Sequence, residues 1–243
     1  MTTLSDIRVV LVEPQSPGNI GSVARVMKNM RVKKLTLVNP RTPLTEEAYH
    51  LACGADDLLN SAHVTPSMEE ALSGVRLAVG TSSRRVSWIP TALRPAELAQ
   101  GLVDLSPGWE VGLVFGPERT GLTNEHLRLC QWLVTIPSDP IFESLNLSHA
   151  VAIVLYEVFQ KLSSSEIGRN LQLAPYEKVE EFHRQLEEWL LEIGFLSADN
   201  PKLIMSTLRQ VFGRAGLEER DVQILRGILR QSKWYATQRN QKP

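Results

Sequence analysis

Five runs of consecutive apolar, largely β-branched residues punctuate the first 136 positions: Ile7–Val12, Leu35–Val38, Leu77–Val79, Val111–Phe115 and Leu133–Ile136. Uninterrupted runs of that length suit strands buried on both faces, as in a parallel sheet. Between them the apolar positions recur at helical spacing. Ile20, Val23, Ala24, Met27 and Met30 share one face of a helix, with Gly18, Ser22, Arg25 and Asn29 on the opposite one. Further helices are predicted from near Thr45, from Ser67 (Ser67-Met68-Glu69-Glu70 has the form of a capping box), and over Pro95–Val103. Strands alternating with helices predict an α/β fold on a parallel sheet. Leu147–Phe159 is apolar on nearly every side apart from Ser148, His149 and Glu157, which predicts a helix buried all round. Ser144, Leu145 and Asn146 stand at its start, where Ser and Asn cap unpaired backbone N–H groups.

After Leu162 the pattern changes. Residues 163–175 open with three serines and read as a linker between a body, 1–162, and a tail, 176–243. The tail predicts three helices. The first carries a stripe of Val179, Phe182, Leu186, Trp189, Leu190 and Ile193. The second opens on Asn200-Pro201, carries Leu203, Ile204, Leu208, Val211 and Phe212, and is closed by Gly213 or Gly216. The third carries Val222, Leu225, Ile228 and Leu229. Some 60 residues are marginal for independent folding, so the tail is expected to pack on the body or on a partner. Trp189 and Trp234 read as packing residues rather than platforms for a base.

Charge adds one feature. The net of −1 over 243 residues conceals a segregation: Tyr176–Asp199 has seven acidic and two basic residues, whereas Asn200–Pro243 has nine basic and three acidic. A basic terminal segment suggests an anionic partner. No apolar run approaches the roughly 20 residues that span a bilayer, and the N-terminus lacks a signal-peptide pattern, so a cytoplasmic protein without a membrane partner is expected. Cys53 and Cys130 lie far apart, and the five histidines show no ligand spacing; neither a disulfide framework nor a metal site is indicated.

Polar, glycine-bearing loops follow the strands: Pro17–Arg25, Thr81–Arg85 and Gly116–Leu122. Parallel sheets bind ligands outside the carboxyl ends of their strands, so these loops are expected on one edge together with Ile136–Asn146. Glycine there lets backbone approach a ligand. Neither a phosphate-loop motif nor the GxGxxG order of dinucleotide folds is present. Taken singly, Arg25 on a polar helix face reads as a solvated residue, Glu118 as a structural acid near a helix start, and Arg84 and Arg85 as loop residues suited to phosphate contact.

PGNIGSVARVMKN (17–29), FGPERTGLTNEHL (115–127) and IPSDPIFESLNLSHAVAIVLYE (136–157), in this order and spacing, resemble the three motifs of SPOUT-class RNA ribose 2′-O-methyltransferases. Within that class the likeness is greatest to bacterial enzymes that methylate cytidine or uridine 32 in the tRNA anticodon loop. It continues past the linker, where residues 200–231 look like that group's helical tail. The resemblance implies a trefoil knot in the C-terminal part of the α/β domain, S-adenosyl-L-methionine as cofactor, tRNA rather than DNA as substrate, and a homodimer with active sites at its interface. Carried over position by position, it implies a cofactor pocket of Thr81, Ser82, Ser83, Gly116, Ile136, Ser144, Leu145 and Asn146. It casts Arg25, Asn19 and Ser144 as catalytic, with Asn19 ordering the loop of Arg25 and Ser144 offering a short hydrogen-bonding group. Pro117 departs from the nearest members, which carry arginine there, and leaves substrate contacts in that loop less defined.

These residue types suit methyl transfer, which depends on holding donor and ribose oxygen in line. Arginine keeps its proton at neutral pH, so Arg25 is expected to grip phosphate and stabilise a forming alkoxide rather than act as base. The alternatives are another RNA site (tRNA nucleotide 34 or ribosomal RNA), a knotted RNA-binding protein without catalysis, and a dinucleotide-dependent enzyme. The missing acidic residue after a GxGxxG loop disfavours the last.

Overall fold

The computed structural model describes residues 2–84, 86, 92–105, 108–164, 173–197 and 201–239. In chain order the elements are β1 (Ile7–Val12), α1 (Pro17–Asn29), β2 (Lys34–Val38), α2 (Glu46–Ala52), α3 (Asp56–Asn60), β3 (His63–Thr65), α4 (Met68–Ala71), β4 (Leu77–Thr81), α5 (Pro95–Val103), β5 (Val111–Phe115), α6 (Asn124–Arg128), β6 (Trp132–Val134), α7 (Leu147–Ser164), α8 (Tyr176–Glu192), α9 (Pro201–Ala215) and α10 (Glu219–Arg239). The six strands form one parallel sheet in the order β3-β2-β1-β5-β4-β6, with Val9 beside Leu35 on one side and Leu113 on the other.

Alternate residues of each central strand feed opposite layers. Val9 and Leu11 join the apolar faces of α1, α2, α5 and α7, whereas Val10 and Val12 join Met68, Leu72, Leu127 and Tyr176 on the far side. That two-sided burial is why the central strands read as unbroken apolar runs. The elements absent from the sequence reading are β3, α3 and α6, each too short to show a period. The last strand ends at Val134, so Ile136 lies in the loop beyond it.

β6 is enclosed by earlier chain. It pairs with β4 on one side, and on the other Leu93 N–H donates to Leu133 O (2.8 Å) while Thr135 N–H donates to Leu93 O (2.9 Å). The strand thus lies between β4 and the segment that leads away from it.

Two helix faces differ from expectation. Gly18 is buried under α2 rather than placed with the polar face of α1. Gly21 is the point of closest approach: a Cβ there would stand 2.0 Å from Ala48 O. Gly21→Ala is therefore expected to force the helices apart and cost about 3 kcal/mol, read as a lowered urea midpoint. A midpoint equal to the parent's would mean that α1 and α2 do not depend on this contact. The helix α7 is not buried all round. Val151, Val154, Leu155 and Val158 pack inward, but His149, Ile153 and Tyr156 face solvent because one helix stripe fills the space against α1 and α5.

The tail helices α8–α10 enclose Phe182, Leu186, Trp189, Met205, Val222 and Leu229. Gly216, at φ +64°, closes α9. Leu173–Pro175, read as the end of the linker, are packed: Ala174 N–H donates to Leu217 O (2.7 Å), and Arg76 Nη1 donates to Leu173 O (2.7 Å). Residues 165–172 of that linker, Arg85, and the Asn200 cap lie outside the described residues. The tail meets the body where Trp132 Nε1 donates to Gly213 O and Gly74 N–H donates to Glu177. Trp189 is buried as expected, but Trp234 is 56% exposed. Among the described residues no helix is long and apolar enough to cross a membrane.

Candidate active site

The carboxyl ends of the adjacent strands β5, β4 and β6 each release a loop, and the three loops enclose a cleft of about 240 Å³. Backbone and side-chain bonds fix its walls. Thr81 Oγ1 donates to Val114 O (3.0 Å), Ser82 N–H donates to Val134 O (3.0 Å), and Arg84 Nη2 donates to Leu122 O (2.8 Å). In the second loop Gly121 N–H closes a turn on Pro117 O (2.9 Å) and Gly121 adopts φ +63°. Gly116 lies against that turn, where a Cβ would stand 2.2 Å from Leu122 N. Only glycine fits there.

Of the residues named from sequence, Thr81, Ser82, Ser83, Gly116, Ile136, Ser144 and Leu145 line this one cleft. Its walls are mixed: Phe115, Leu122, Val134, Ile136, Leu145 and Leu147 supply apolar surface, while Ser82, Ser83 and Ser144 supply hydroxyls. Ser144 is exposed, and its hydroxyl has no hydrogen-bond partner among the described residues. Arg119 and Glu143 also line the cleft and were not singled out from sequence. Their only sequence signal was a charge inside a glycine- or serine-bearing loop.

Asn146 and Asn19 do not line the cleft; they brace it. Asn146 Oδ1 caps α7 by accepting from Ser148 N–H (2.8 Å) and Ser148 Oγ (2.7 Å), and Asn146 Nδ2 donates to Asn19 Oδ1 (2.9 Å). Asn19 Nδ2 donates in turn to Glu118 Oε1 (2.9 Å), and Glu118 also accepts from the backbone of Gln15 (2.9 Å) and Ser16 (3.1 Å). A single polar chain therefore joins the loop before α7, the start of α1 and the loop after β5. Burial alone would push the Glu118 carboxyl up, but the donated hydrogen bonds outweigh it and hold it below the ordinary glutamate value of 4.5. A depressed carboxyl stabilises the fold above its unfolded value and loses that contribution as pH falls through its folded value. Glu118→Gln turns one acceptor into a donor facing backbone N–H groups. It is expected to cost about 1–2 kcal/mol at pH 7 and to weaken the stability loss on acidification below about pH 4.5. Urea unfolding at pH 7 and pH 4 checks both, and an unchanged acid limb would remove Glu118 as its source.

Arg25 stands apart from the cleft of its own chain. It is exposed on α1, with Nη1 donating to the Cys53 sulfur (3.3 Å). The exposed face of α7, His149, Ile153 and Tyr156, remains open as well. No group of three or more His, Cys, Asp or Glu side chains is placed to hold a metal ion among the described residues.

Comparison with known proteins matches residues 6–156 to the SpoU rRNA methylase family and residues 177–242 to the C-terminal domain of the tRNA methyltransferase TrmJ. The chain is 43% identical to the tRNA (cytidine/uridine/adenosine-2′-O-)-methyltransferase TrmJ of Pseudomonas aeruginosa (strain UCBPP-PA14), over 93% of each chain. It is 42% identical to the tRNA (cytidine/uridine-2′-O-)-methyltransferase TrmJ of Escherichia coli (strain K12), over 93% of this chain and 94% of that one. The crystal structure of TrmJ from Z. mobilis ZM4 superposes with a TM-score of 0.78 at 31% identity, covering 93% of this chain and 98% of the other. With both segments matched and a relative 43% identical over 93% of each chain, the chain belongs to the SpoU methylase family, among members that carry a TrmJ-type C-terminal region.

Proposed function

We propose that this chain is an S-adenosyl-L-methionine-dependent methyltransferase that methylates the ribose 2′-OH of cytidine or uridine at position 32 of the tRNA anticodon loop. The observation that carries the reading is the convergence of Gly116, Ile136 and Ser144 on one cleft at the ends of three adjacent parallel strands. The relatives' names agree on tRNA and on the ribose 2′-oxygen, and differ only in the bases accepted.

The cleft suits the cofactor in shape and in chemistry. Ile136, Leu145 and Leu122 would enclose the adenine, the Ser82, Ser83 and Ser144 hydroxyls would meet its polar groups, and Gly116 would let backbone lie flat against it. When bound, it supplies an electrophilic methyl on a sulfonium centre. The protein's own part is positioning: the Asn146–Asn19–Glu118 chain keeps the loops at fixed separation, which lowers the entropic cost of alignment. Arg25, always charged, would hold an RNA phosphate and stabilise charge building on the 2′-oxygen.

Because Arg25 lies outside the cleft of its own chain, this chemistry needs a second subunit. A homodimer joined through the open faces of α1 and α7 would bring one subunit's Arg25 to the other's cleft, and the exposed Ile153 and Tyr156 support that surface. Enclosure of β6 between β4 and the Leu93 segment supports the trefoil knot. We place the protein in the cytoplasm with tRNA, and assign the tail, 176–243, to RNA binding.

Tritiated-methyl transfer from S-adenosylmethionine to unmodified bulk tRNA, followed by mapping of the labelled nucleotide, tests the reading. Label at the ribose of nucleotide 32 is the expected result. Label at nucleotide 34, or in ribosomal RNA alone, would move the substrate, and no transfer to any RNA would remove the activity.

A further inference from the structure

Among the described residues, four charged side chains line the strand-end cleft: Arg84, Glu118, Arg119 and Glu143. Two of them are committed to its frame. Arg84 Nη2 donates to Leu122 O (2.8 Å) and Asn124 Oδ1 (3.4 Å), and both Glu118 oxygens are taken by Asn19, Gln15 and Ser16. The other two are not. The side chains of Arg119 and Glu143 have no ion pair or hydrogen bond among the described residues, with each other or with any neighbour, and both are exposed.

The backbone beneath each is fixed. Arg119 rides the turn that Gly121 N–H closes on Pro117 O (2.9 Å). Glu143 follows a turn in which Phe142 N–H donates to Asp139 O (2.9 Å), and its own carbonyl accepts from Ser138 Oγ (3.0 Å). Two anchored loops thus bring one cation and one anion to the same cleft without joining them. An opposite pair held apart in this way is complementary to a ligand that carries both charges itself.

We propose that Arg119 and Glu143 hold the α-carboxylate and the α-ammonium of the amino-acid end of S-adenosylmethionine. The proposal rests on the reading of this cleft as the donor site and adds what meets the end of the donor beyond its adenosine. A carboxylate can take the arginine fork at two oxygens, and an ammonium donates to a carboxylate. The competing ligands use one charge each. An RNA phosphate would be drawn to Arg119 but repelled by Glu143, and a sulfonium would be drawn to Glu143 but repelled by Arg119.

Calorimetric titration of the full chain with three ligands tests the pair. S-adenosylmethionine is set against S-adenosylhomocysteine, which keeps the amino-acid end without the sulfonium charge, and against 5′-methylthioadenosine, which keeps the adenosine and lacks the amino-acid end. Arg119→Ala and Glu143→Gln are each expected to bind the first two about fivefold more weakly, the scale of an exposed charge pair. Both variants should bind 5′-methylthioadenosine as the parent does and keep the parent's melting temperature. Equal weakening toward all three ligands would mean that the loops have shifted, and overturns the assignment. A Glu143→Gln loss confined to S-adenosylmethionine overturns it in favour of a contact with the sulfonium. Parental affinity for S-adenosylmethionine in the double variant overturns it and leaves the donor site standing. Parental donor affinity with weakened tRNA binding in Arg119→Ala overturns it in favour of a phosphate contact. A parent protein that binds none of the three ligands overturns the donor site as well.

Discussion

Gly116→Ala is expected to abolish S-adenosylmethionine binding and to cost about 3 kcal/mol of stability or more. The added carbon would stand 2.2 Å from Leu122 N and 2.3 Å from Gly121 C, and both contacts are backbone, which cannot swing aside as a side chain can. Relief requires the 116–122 turn to move outward, and that turn carries Arg119 and Glu118 with it. A wall of the cleft is displaced and the anchor of α1 loosens together. Gly121→Ala provides the measure of scale. Its Cβ would meet nothing within 4 Å, so its cost is the left-handed backbone alone, about 1 kcal/mol, with ligand affinity largely kept. Calorimetric titration with S-adenosylmethionine and denaturant unfolding separate the two. Equal behaviour of the two variants would mean that Gly116 is not the tight point of the cleft.

Arg25→Ala should act on turnover and leave cofactor binding nearly untouched. Arg25 is exposed and absent from the lining of its own chain's cleft, so its loss should change S-adenosylmethionine affinity by no more than about twofold. Removing a cation that stabilises developing charge in the transition state costs about two to three orders of magnitude in rate. Arg25→Lys should recover little, because a lysine offers a point charge where the arginine offers a fork. Mixing Arg25→Ala chains with chains carrying Gly116→Ala tests the two-subunit arrangement directly. Heterodimers then hold one cleft with both an intact wall and an intact partner arginine, and activity should return to part of the parental level. No recovery in mixtures shown to exchange subunits would count against a shared site.

The sheet was legible because its strands are buried on both faces, and such burial leaves an unbroken apolar signature at β1 and β5. The cleft was legible through its glycines and short hydroxyl residues, which follow the strand ends in the linear sequence as they do in space. What sequence left open was placement across elements. Nothing near Glu118 announces that its carboxylate will receive the N-terminus of α1, a hundred residues earlier. Likewise the apolar positions of Leu147–Phe159 are not all covered, since Ile153 and Tyr156 are exposed, and periodicity cannot tell a buried side from an open one. Trp234 shows the same limit from the other direction: indole is a packing residue by habit, but here it lies on the open side of α10.

The bracket of older chain around β6 bears on how the molecule behaves in concentrated solution. An uncovered strand margin is a template onto which another polypeptide can lay itself. At this margin the Leu93 peptide already bonds Leu133 O and Thr135 N–H, and at the opposite margin β3 spans only three residues, with His63 and Val64 turned to water. Among the described residues neither flank presents a long unpaired strand to a foreign chain, which leaves side chains on the helix faces, rather than main-chain groups, to decide any partner.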